Sequence, residues 1–178
     1  MEWPPRYTDD FIPDPDQEYW SPELETMAPA ERDSHILNKL QNQVRYVYQN
    51  SDFYQEFYKD SAVDPANISS LEEFSQLRIL TKEDIRREQE LHPPYGRFLC
   101  IPPKDIFRVH GTSGTTGRPT VFGIGMDDWD RIAEAHARVL WGAGLRPDDT
   151  VMVAAVFSLY VGSWGALVGA ERLGASCF

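Results

Sequence analysis

The sequence contains one uncharged stretch that restricts how the chain can fold. Residues 151–170 read VMVAAVFSLYVGSWGALVGA, twenty positions without a charged side chain. A stretch of that length either spans a membrane or lies inside a globular fold. Its first part is rich in β-branched residues, and Ser158, Gly162 and Ser163 interrupt its middle. The pattern therefore favours a strand over 151–157 that is buried on both faces, then a turn and a glycine-rich helix, without a membrane partner.

The surrounding sequence extends this unit to a layered α/β sheet. The predicted strands cover 106–110, 121–124, 151–157 and 175–178, and the predicted helices cover 127–142 and 166–173. Asp127 or Asp128 is suited to cap the first of these helices, and His136 lies on its apolar face as a core or boundary residue. Strands that alternate with helices pair in parallel through right-handed crossovers. We therefore predict an α/β fold for this part of the chain.

The first hundred residues predict helices instead of a sheet. Residues 1–28 are rich in proline, acidic and aromatic residues, which indicates an extended N-terminal arm. The apolar positions of the helical pattern that follows are Ile36, Leu37, Leu40, Val44 and Val47. Two later segments, 70–73 and 81–84, have the residue types of helix N-terminal capping boxes. The predicted helices begin at Pro29, near Phe53, at Leu71 and after Thr81, and the last one ends before Pro93.

Charge and cysteine content exclude some classes of function. The chain has 17 basic and 28 acidic residues, a net charge of −11, so we expect no nucleic-acid partner. Its two cysteines, Cys100 and Cys177, lie far apart without metal-ligand spacing, which predicts two reduced thiols and no metal site. The N-terminus lacks a basic region followed by an apolar core. We therefore predict no signal peptide and a cytoplasmic location.

A loop of small hydroxylated residues lies between the first two predicted strands. Residues 111–120 read GTSGTTGRPT. Its glycines allow several backbone N–H groups to point at one place, and its hydroxyl groups add further donors, so the loop can surround the oxygens of a polyphosphate. It is not a Walker A loop, because no lysine follows and both flanks have strand composition. A flexible surface hairpin without a ligand is the alternative interpretation.

At this loop the sequence resembles a known family. Residues 108–120, RVHGTSGTTGRPT, are similar to the R-[IV]-H-A-S-S-G-T-T-G-K-P-T loop of phenylacetate–CoA ligases, in the adenylate-forming superfamily. The final threonine is typical of this branch, since the superfamily usually has lysine there. Other matching segments, spread over residues 19–178, are YWSPELETM (19–27), SDFY (51–54), LTKEDIR (80–86) and GAERLGA (169–175).

The resemblance implies a reaction in two steps. A carboxylic acid attacks the α-phosphate of ATP to give an acyl-adenylate and pyrophosphate, and coenzyme A then displaces AMP. ATP, Mg²⁺ and coenzyme A are the implied cofactors, and a phenylacetate-like acid is the implied substrate. The residues implied to bind the ATP phosphates are Thr112, Ser113, Gly114, Thr115, Thr116 and Gly117.

The resemblance also points to a segment that lines the acyl pocket. Residues 158–165, SLYVGSWG, are similar to the family's G-L-F-T-G-G-x-G. The substrate-binding residues implied by this match are Tyr160, Gly162, Ser163 and Trp164. Ser163 and Trp164 differ from the family pattern, which indicates a reshaped pocket. Plain core packing is the alternative for Tyr160 and Trp164.

The implied fold is the N-terminal part of the large adenylate-forming domain, over residues 29–178. Its helical part would cover 29–100, and the phosphate loop with the α/β part would cover 101–178. The family's later motifs and its C-terminal domain do not occur in these residues. We therefore expect a truncated ligase that does not complete the reaction alone and that either self-associates, a homodimer being one such form, or is poorly soluble. The alternatives are a non-catalytic nucleotide-binding or interaction fragment and an adenylating enzyme with an acceptor other than coenzyme A.

Overall fold

The computed structural model describes residues 13–112 and 119–178, which fall into two compact units. The helical unit is Met27–Lys104, and the α/β unit combines Met1–Thr26 with Asp105–Phe178. The helices are α1 (Pro22–Glu25), α2 (Pro29–Asn50), α3 (Asp52–Phe57), α4 (Leu71–Ser75), α5 (Lys82–Leu91), α6 (Met126–Gly142) and α7 (Val161–Arg172). Two 3₁₀ helices cover Gly96–Phe98 and Pro103–Asp105, and the strands are β1 (Arg108–Gly111), β2 (Val121–Ile124), β3 (Thr150–Val151) and β4 (Ser176–Cys177).

Side-chain caps explain where helices α4 and α5 of the helical unit begin. The Ser70 hydroxyl accepts a 3.1 Å hydrogen bond from the Glu73 N–H at the start of α4. At α5, Thr81 Oγ1 accepts from the Asp84 N–H at 3.2 Å, and Asp84 Oδ2 accepts from the Thr81 N–H at 3.0 Å. These reciprocal bonds satisfy backbone groups that an uncapped helix leaves without partners. The predicted starts at Pro29, Leu71 and after Thr81 are confirmed.

The core of the helical unit is small and partly aromatic. Val44 of α2 packs with Ile68 and Leu77, and all three side chains are buried. A second cluster stacks Phe53 on Phe57, with ring centroids 5.3 Å apart. The apolar pattern of α2 overestimates burial at its N-terminal end, because Ile36 is 40% exposed.

The α/β unit contains two separate pairs of strands within the described residues. β1 and β2 are antiparallel, with His110 opposite Phe122 and Gly111 opposite Val121. β3 and β4 are parallel and are connected through α7. The order of strands and helices agrees with the sequence prediction of an α/β fold.

The predicted long strand over 151–157 is wrong. β3 ends at Val151, and beyond it Met152 is 63% exposed and Val156 is 78% exposed. A parallel strand is buried only where neighbours pair with it and helices cover its faces. Here the paired part of the neighbouring strand, β4, is only two residues long. No helix among the described residues has the length and hydropathy to cross a bilayer.

Helices α6 and α7 pack together to form the core of the α/β unit. α6 buries Trp129, Ala133, Ala137 and Trp141 on one face. The Gly125 N–H donates to Asp128 Oδ2 at 3.1 Å, so Asp128 stabilises the start of α6 from within its first turn. His136, predicted to lie at the core or its boundary, is half-buried, and that prediction is confirmed.

The segment before α2 is attached to the same helices. The rings of Trp20 and Trp141 lie 5.6 Å apart between centroids. Trp20 Nε1 donates to Glu134 Oε1 at 2.6 Å, and Arg172 Nε donates to Glu134 Oε2 at 2.6 Å. One carboxylate therefore joins the N-terminal segment, α6 and α7. The single turn of α1 interrupts the extended conformation that the sequence predicted for residues 1–28. That these residues form a separate arm stays a prediction.

Candidate functional site

The β1–β2 hairpin continues into the two ends of the glycine–threonine loop. The Thr112 N–H donates to the Thr120 carbonyl at 2.9 Å, and the Thr120 N–H donates to Thr112 Oγ1 at 3.1 Å. These bonds extend the strand pairing by one residue on each side. Thr112 is the one predicted phosphate-binding residue that the structure describes. The other predicted residues, which lie outside the described residues, are Ser113, Gly114, Thr115, Thr116 and Gly117.

Thr120 is a candidate that the sequence reasoning did not select as a site residue. Its side chain is 2% exposed, and its Oγ1 has no hydrogen-bond partner within the described part of the chain. Buried hydroxyl groups are nearly always hydrogen-bonded, so this one calls for a partner. The sequence signal that could have identified it is its position: Thr120 is the last residue of the loop, where the superfamily usually has lysine.

His110 connects the hairpin to the segment that precedes α7. Its Nδ1 lies 3.1 Å from the Leu159 carbonyl oxygen, and the same oxygen accepts from the Gly111 N–H at 2.8 Å. The imidazole is 3% exposed and stacks on Trp129, with a centroid distance of 5.4 Å and 6° between the ring planes. His110 therefore makes a structural hydrogen bond at the end of β1.

The four predicted acyl-pocket residues lie in two different environments. Tyr160 is 56% exposed and its ring covers Gly162, so core packing does not describe it. Ser163 is buried, and its hydroxyl donates to the Val156 carbonyl at 2.8 Å. Trp164 Nε1 donates to the Ser158 carbonyl at 2.9 Å. The structure thus brings Tyr160 and Gly162 together at the surface. It uses Ser163 and Trp164 to hold the preceding segment.

Arg108 is a second residue that the sequence reasoning passed over. The carbon of its guanidinium lies 4.3 Å from the ring centroid of Trp129 and 4.6 Å from that of Trp164. Both distances are within the range of cation–π attraction. The side chain therefore joins β1 to α6 and to the predicted acyl segment. Neither spacing nor composition identified this contact.

The described residues contain no group of three or more His, Cys, Asp and Glu side chains that could hold a metal ion. Both cysteines are free thiols, as predicted. Burial raises the pKa of the Cys177 thiol, which reduces its fraction of reactive thiolate at neutral pH. The region therefore offers hydroxyl groups, backbone amides and aromatic rings as its chemistry.

Comparison with known proteins identifies relatives along most of the chain. No family model matches the chain. It is 36% identical over 155 residues to a phenylacetate–coenzyme A ligase of Thermus thermophilus, and 33% identical over 153 residues to one of Escherichia coli. These alignments cover 87% and 86% of this chain but 34% of each relative.

The fold matches solved structures of 2-hydroxyisobutyryl-CoA ligase. A structure in the postadenylation state with 2-HIB-AMP matches with a TM-score of 0.88 and 49% identity, over 99% of this chain and 37% of that chain. A structure with 2-HIB-AMP and CoA in the thioesterification state matches with a TM-score of 0.88 and 50% identity, over 100% of this chain and 38% of that chain.

The chain therefore spans about a third of the length of the curated relatives that it matches. Over that length the sequence relatives and the structural neighbours agree on one type of enzyme, the acid–CoA ligase. The chain belongs to the phenylacetate–CoA ligase family of adenylate-forming enzymes.

Proposed function

We propose that this chain supplies the ATP-phosphate site and part of the acid site of an AMP-forming acid–CoA ligase. In the proposed reaction a carboxylate oxygen attacks the α-phosphorus of ATP, and pyrophosphate leaves. The thiolate of coenzyme A then attacks the acyl carbon of the adenylate, and AMP leaves. The observation that carries the proposal is the shared Leu159 carbonyl, which holds the predicted acyl segment against the strand that leads into the glycine–threonine loop.

The residues at the base of the loop are suited to bind phosphate oxygens. Thr112 Oγ1 already accepts a hydrogen bond from the Thr120 N–H, so its own O–H group points elsewhere. The buried Thr120 hydroxyl is a second donor, and Thr120 is paired with Thr112 at the base of the loop. Donors that meet a developing charge stabilise the transition state, here the charge of the leaving pyrophosphate. Bound Mg²⁺ would neutralise part of that charge.

The acid in this proposal is a small 2-hydroxy acid. Identity to the 2-hydroxyisobutyryl-CoA ligase structures is 49–50%, against 33–36% for the phenylacetate–coenzyme A ligases. Tyr160 is exposed and its hydroxyl lies over Gly162, where it can bond to a substrate hydroxyl. Trp164 contacts the Arg108 guanidinium and donates from Nε1 to the Ser158 carbonyl. The phenylacetate-like acid implied by the family resemblance stays a prediction, and the titration described below compares the two acids.

Calorimetric titration of the 178-residue chain tests the phosphate site. We expect Mg²⁺-bound ATP to bind, and Thr112→Val to weaken binding by about tenfold, the effect of one lost hydrogen bond. Thr112→Ser keeps the hydroxyl group and should bind like the wild type. Thr150→Val, at an exposed threonine of β3, is the matched control. A folded wild-type chain that binds no nucleotide would refute the proposal.

The acid is tested in the same titration, in the presence of α,β-methylene ATP, which cannot release pyrophosphate. We expect 2-hydroxyisobutyrate to bind more tightly than phenylacetate. Tyr160→Phe should weaken the binding of 2-hydroxyisobutyrate by about tenfold and leave the binding of phenylacetate unchanged, because only 2-hydroxyisobutyrate has a hydroxyl that can bond to the phenol hydroxyl. Tighter binding of phenylacetate would restore the original prediction and reject the hydroxy acid.

A further inference from the structure

The segment between β3 and α7 lacks regular structure but is held at several points. Residues 152–160 are mostly exposed and pair with no strand over most of their length. Three of their backbone carbonyls nevertheless accept hydrogen bonds from outside the segment. Val156 accepts from the Ser163 hydroxyl, Ser158 from Trp164 Nε1, and Leu159 from both His110 and Gly111.

Only the Leu159 carbonyl is held by the hairpin; the other two bonds come from α7 itself. His110 and Gly111 are consecutive residues of β1, and the next residue, Thr112, begins the glycine–threonine loop. A shift of Leu159 therefore pulls on the base of that loop. The two predicted binding segments share one hydrogen-bonded atom.

The chemistry of this bond fixes the tautomer of His110. A backbone carbonyl can only accept, so Nδ1 carries a proton, and in the neutral ring Nε2 is then the nitrogen with the lone pair. Nε2 is buried and has no hydrogen-bond partner in residues 13–112 and 119–178. A phenylalanine would stack on Trp129 equally well without a buried polar atom that lacks a partner. Packing alone therefore does not account for a histidine at this position.

We infer that His110 is a positioning residue that couples acid binding to ATP binding, by tying the acyl segment to the base of the phosphate loop through the Leu159 carbonyl. The inference rests on the proposed function. The His110 ring stacks on Trp129 and its Nδ1 bonds to the Leu159 carbonyl, so in this proposal a displacement of β1 by bound phosphates is transmitted to residues 158–160. A coupling of this kind is reciprocal: each ligand raises the affinity for the other by the same factor.

The test measures the coupling factor, which is the dissociation constant of 2-hydroxyisobutyrate without α,β-methylene ATP divided by that with it. We expect a factor of about ten or more in the wild-type chain, within the usual range of such couplings. His110→Phe keeps the stacked ring and removes one of the two hydrogen bonds to the Leu159 carbonyl, so the factor should fall clearly below the wild-type value while the Gly111 N–H keeps its own bond. The affinity for the nucleotide alone should change little.

Rescue by a conservative variant separates positioning from general stability. The side-chain amide of His110→Asn carries its N–H at the δ position and can still donate to Leu159, so it should keep most of the coupling. His110→Gln carries its N–H one atom further out and should lose the coupling. If His110→Phe does not fold, the comparison of His110→Asn with His110→Gln replaces it as the test. Val109→Thr, at an exposed position of the same strand, is the matched control.

The outcomes separate this inference from the proposed function. A coupling factor that stays at the wild-type value in a folded His110→Phe, or a wild-type chain that binds both ligands without coupling, would overturn the inference alone. A wild-type chain that binds no nucleotide would overturn the proposed function and the inference with it. A lower coupling factor in His110→Phe, together with a near-wild-type factor in His110→Asn, would establish that His110 takes part in the coupling.

Discussion

At the scale of single residues, the Glu88–Arg97 pair is the clearest electrostatic contact of the helical unit. Arg97 Nε donates to Glu88 Oε1 at 2.7 Å, and the Arg97 backbone N–H donates to the same oxygen at 3.0 Å. The Glu88 residue is 5% exposed. The hydrogen bond from Arg97 lowers the pKa of Glu88 below its ordinary value of 4.5. The carboxylate therefore stabilises the folded state above that value, and this contribution is lost as pH falls through the lowered pKa.

The substitution Glu88→Gln tests this pair. We expect the free energy of unfolding at pH 7 to fall by about 2 kcal/mol, because a charged hydrogen-bond acceptor is lost at a buried position. Between about pH 5 and pH 3 the wild type should lose more stability than the variant, since only the wild type must protonate this carboxylate. Urea denaturation at several pH values measures both effects. Glu90→Gln, at an exposed position of the same helix, should change neither.

Residue-scale contacts were foreseen only in part. The acceptor of the His110 hydrogen bond lies 49 positions further along the chain, where no local pattern points to it. Nothing in the sequence indicated that Arg108 would sit between Trp129 and Trp164. Local patterns contain neither fact, because both depend on how the hairpin and α7 come together.

At the scale of elements, the ends of helices follow local chemistry. Gly142 is the last residue of α6, and Gly144 follows with φ of +98°. A Cβ atom at either position would meet no other atom within 4 Å. The two glycines therefore differ in backbone conformation and not in available space.

Alanine substitution at these two glycines should have opposite effects. Gly144→Ala should lower the free energy of unfolding by about 1 kcal/mol, because residues with a Cβ atom disfavour positive φ. Gly142→Ala should raise it by a few tenths of a kcal/mol up to about 1 kcal/mol, since alanine favours the helix. Thermal unfolding of both variants measures the difference. Equal effects at both positions would contradict the assigned end of α6.

The α6–α7 interface makes a second prediction at this scale. A Cβ at Gly169 would lie 2.5 Å from His136 Cβ and 2.8 Å from the backbone of His136 and Ala137, whereas the atoms nearest to one at Gly165 belong to the His136 imidazole. Gly169→Ala should therefore lower the free energy of unfolding by about 1–3 kcal/mol. Gly165→Ala should lower it as well.

A second substitution distinguishes the two glycines. His136→Ala removes the side chain that a Cβ at Gly165 would meet, so it should relieve most of the cost of Gly165→Ala in a double-mutant cycle. It should not relieve the cost of Gly169→Ala, because the backbone of residues 136 and 137 remains in place. Equal rescue of both variants, measured by denaturant unfolding, would show that the helices separate instead of repacking.

The elements themselves divide into predictable and unpredictable ones for a physical reason. The starts of α4 and α5 depend on the side chains of Ser70 and Thr81, which act within four residues of chain. The fate of residues 152–157 depends on which other strands and helices cover them. An apolar composition alone does not determine this. The observed strand ends at Val151, although the prediction extended it to residue 157.

At the scale of the whole molecule, the sequence motif and the fold point to the same family. The loop motif, the segments spread over residues 19–178 and the matches to solved acid–CoA ligases agree. The matches cover nearly all of this chain but only 34–38% of the relatives. A whole-molecule test must therefore provide the remaining part of the fold.

The most direct test replaces the matching part of a 2-hydroxyisobutyryl-CoA ligase with this chain and measures acid-dependent exchange of labelled pyrophosphate into ATP. Exchange requires both the phosphate site and the acid site in working order. The account predicts exchange by the chimera with 2-hydroxyisobutyrate and none by the 178-residue chain alone. The His110→Phe chimera should exchange more slowly. A folded chimera that binds ATP but exchanges no pyrophosphate with any carboxylic acid would contradict the account.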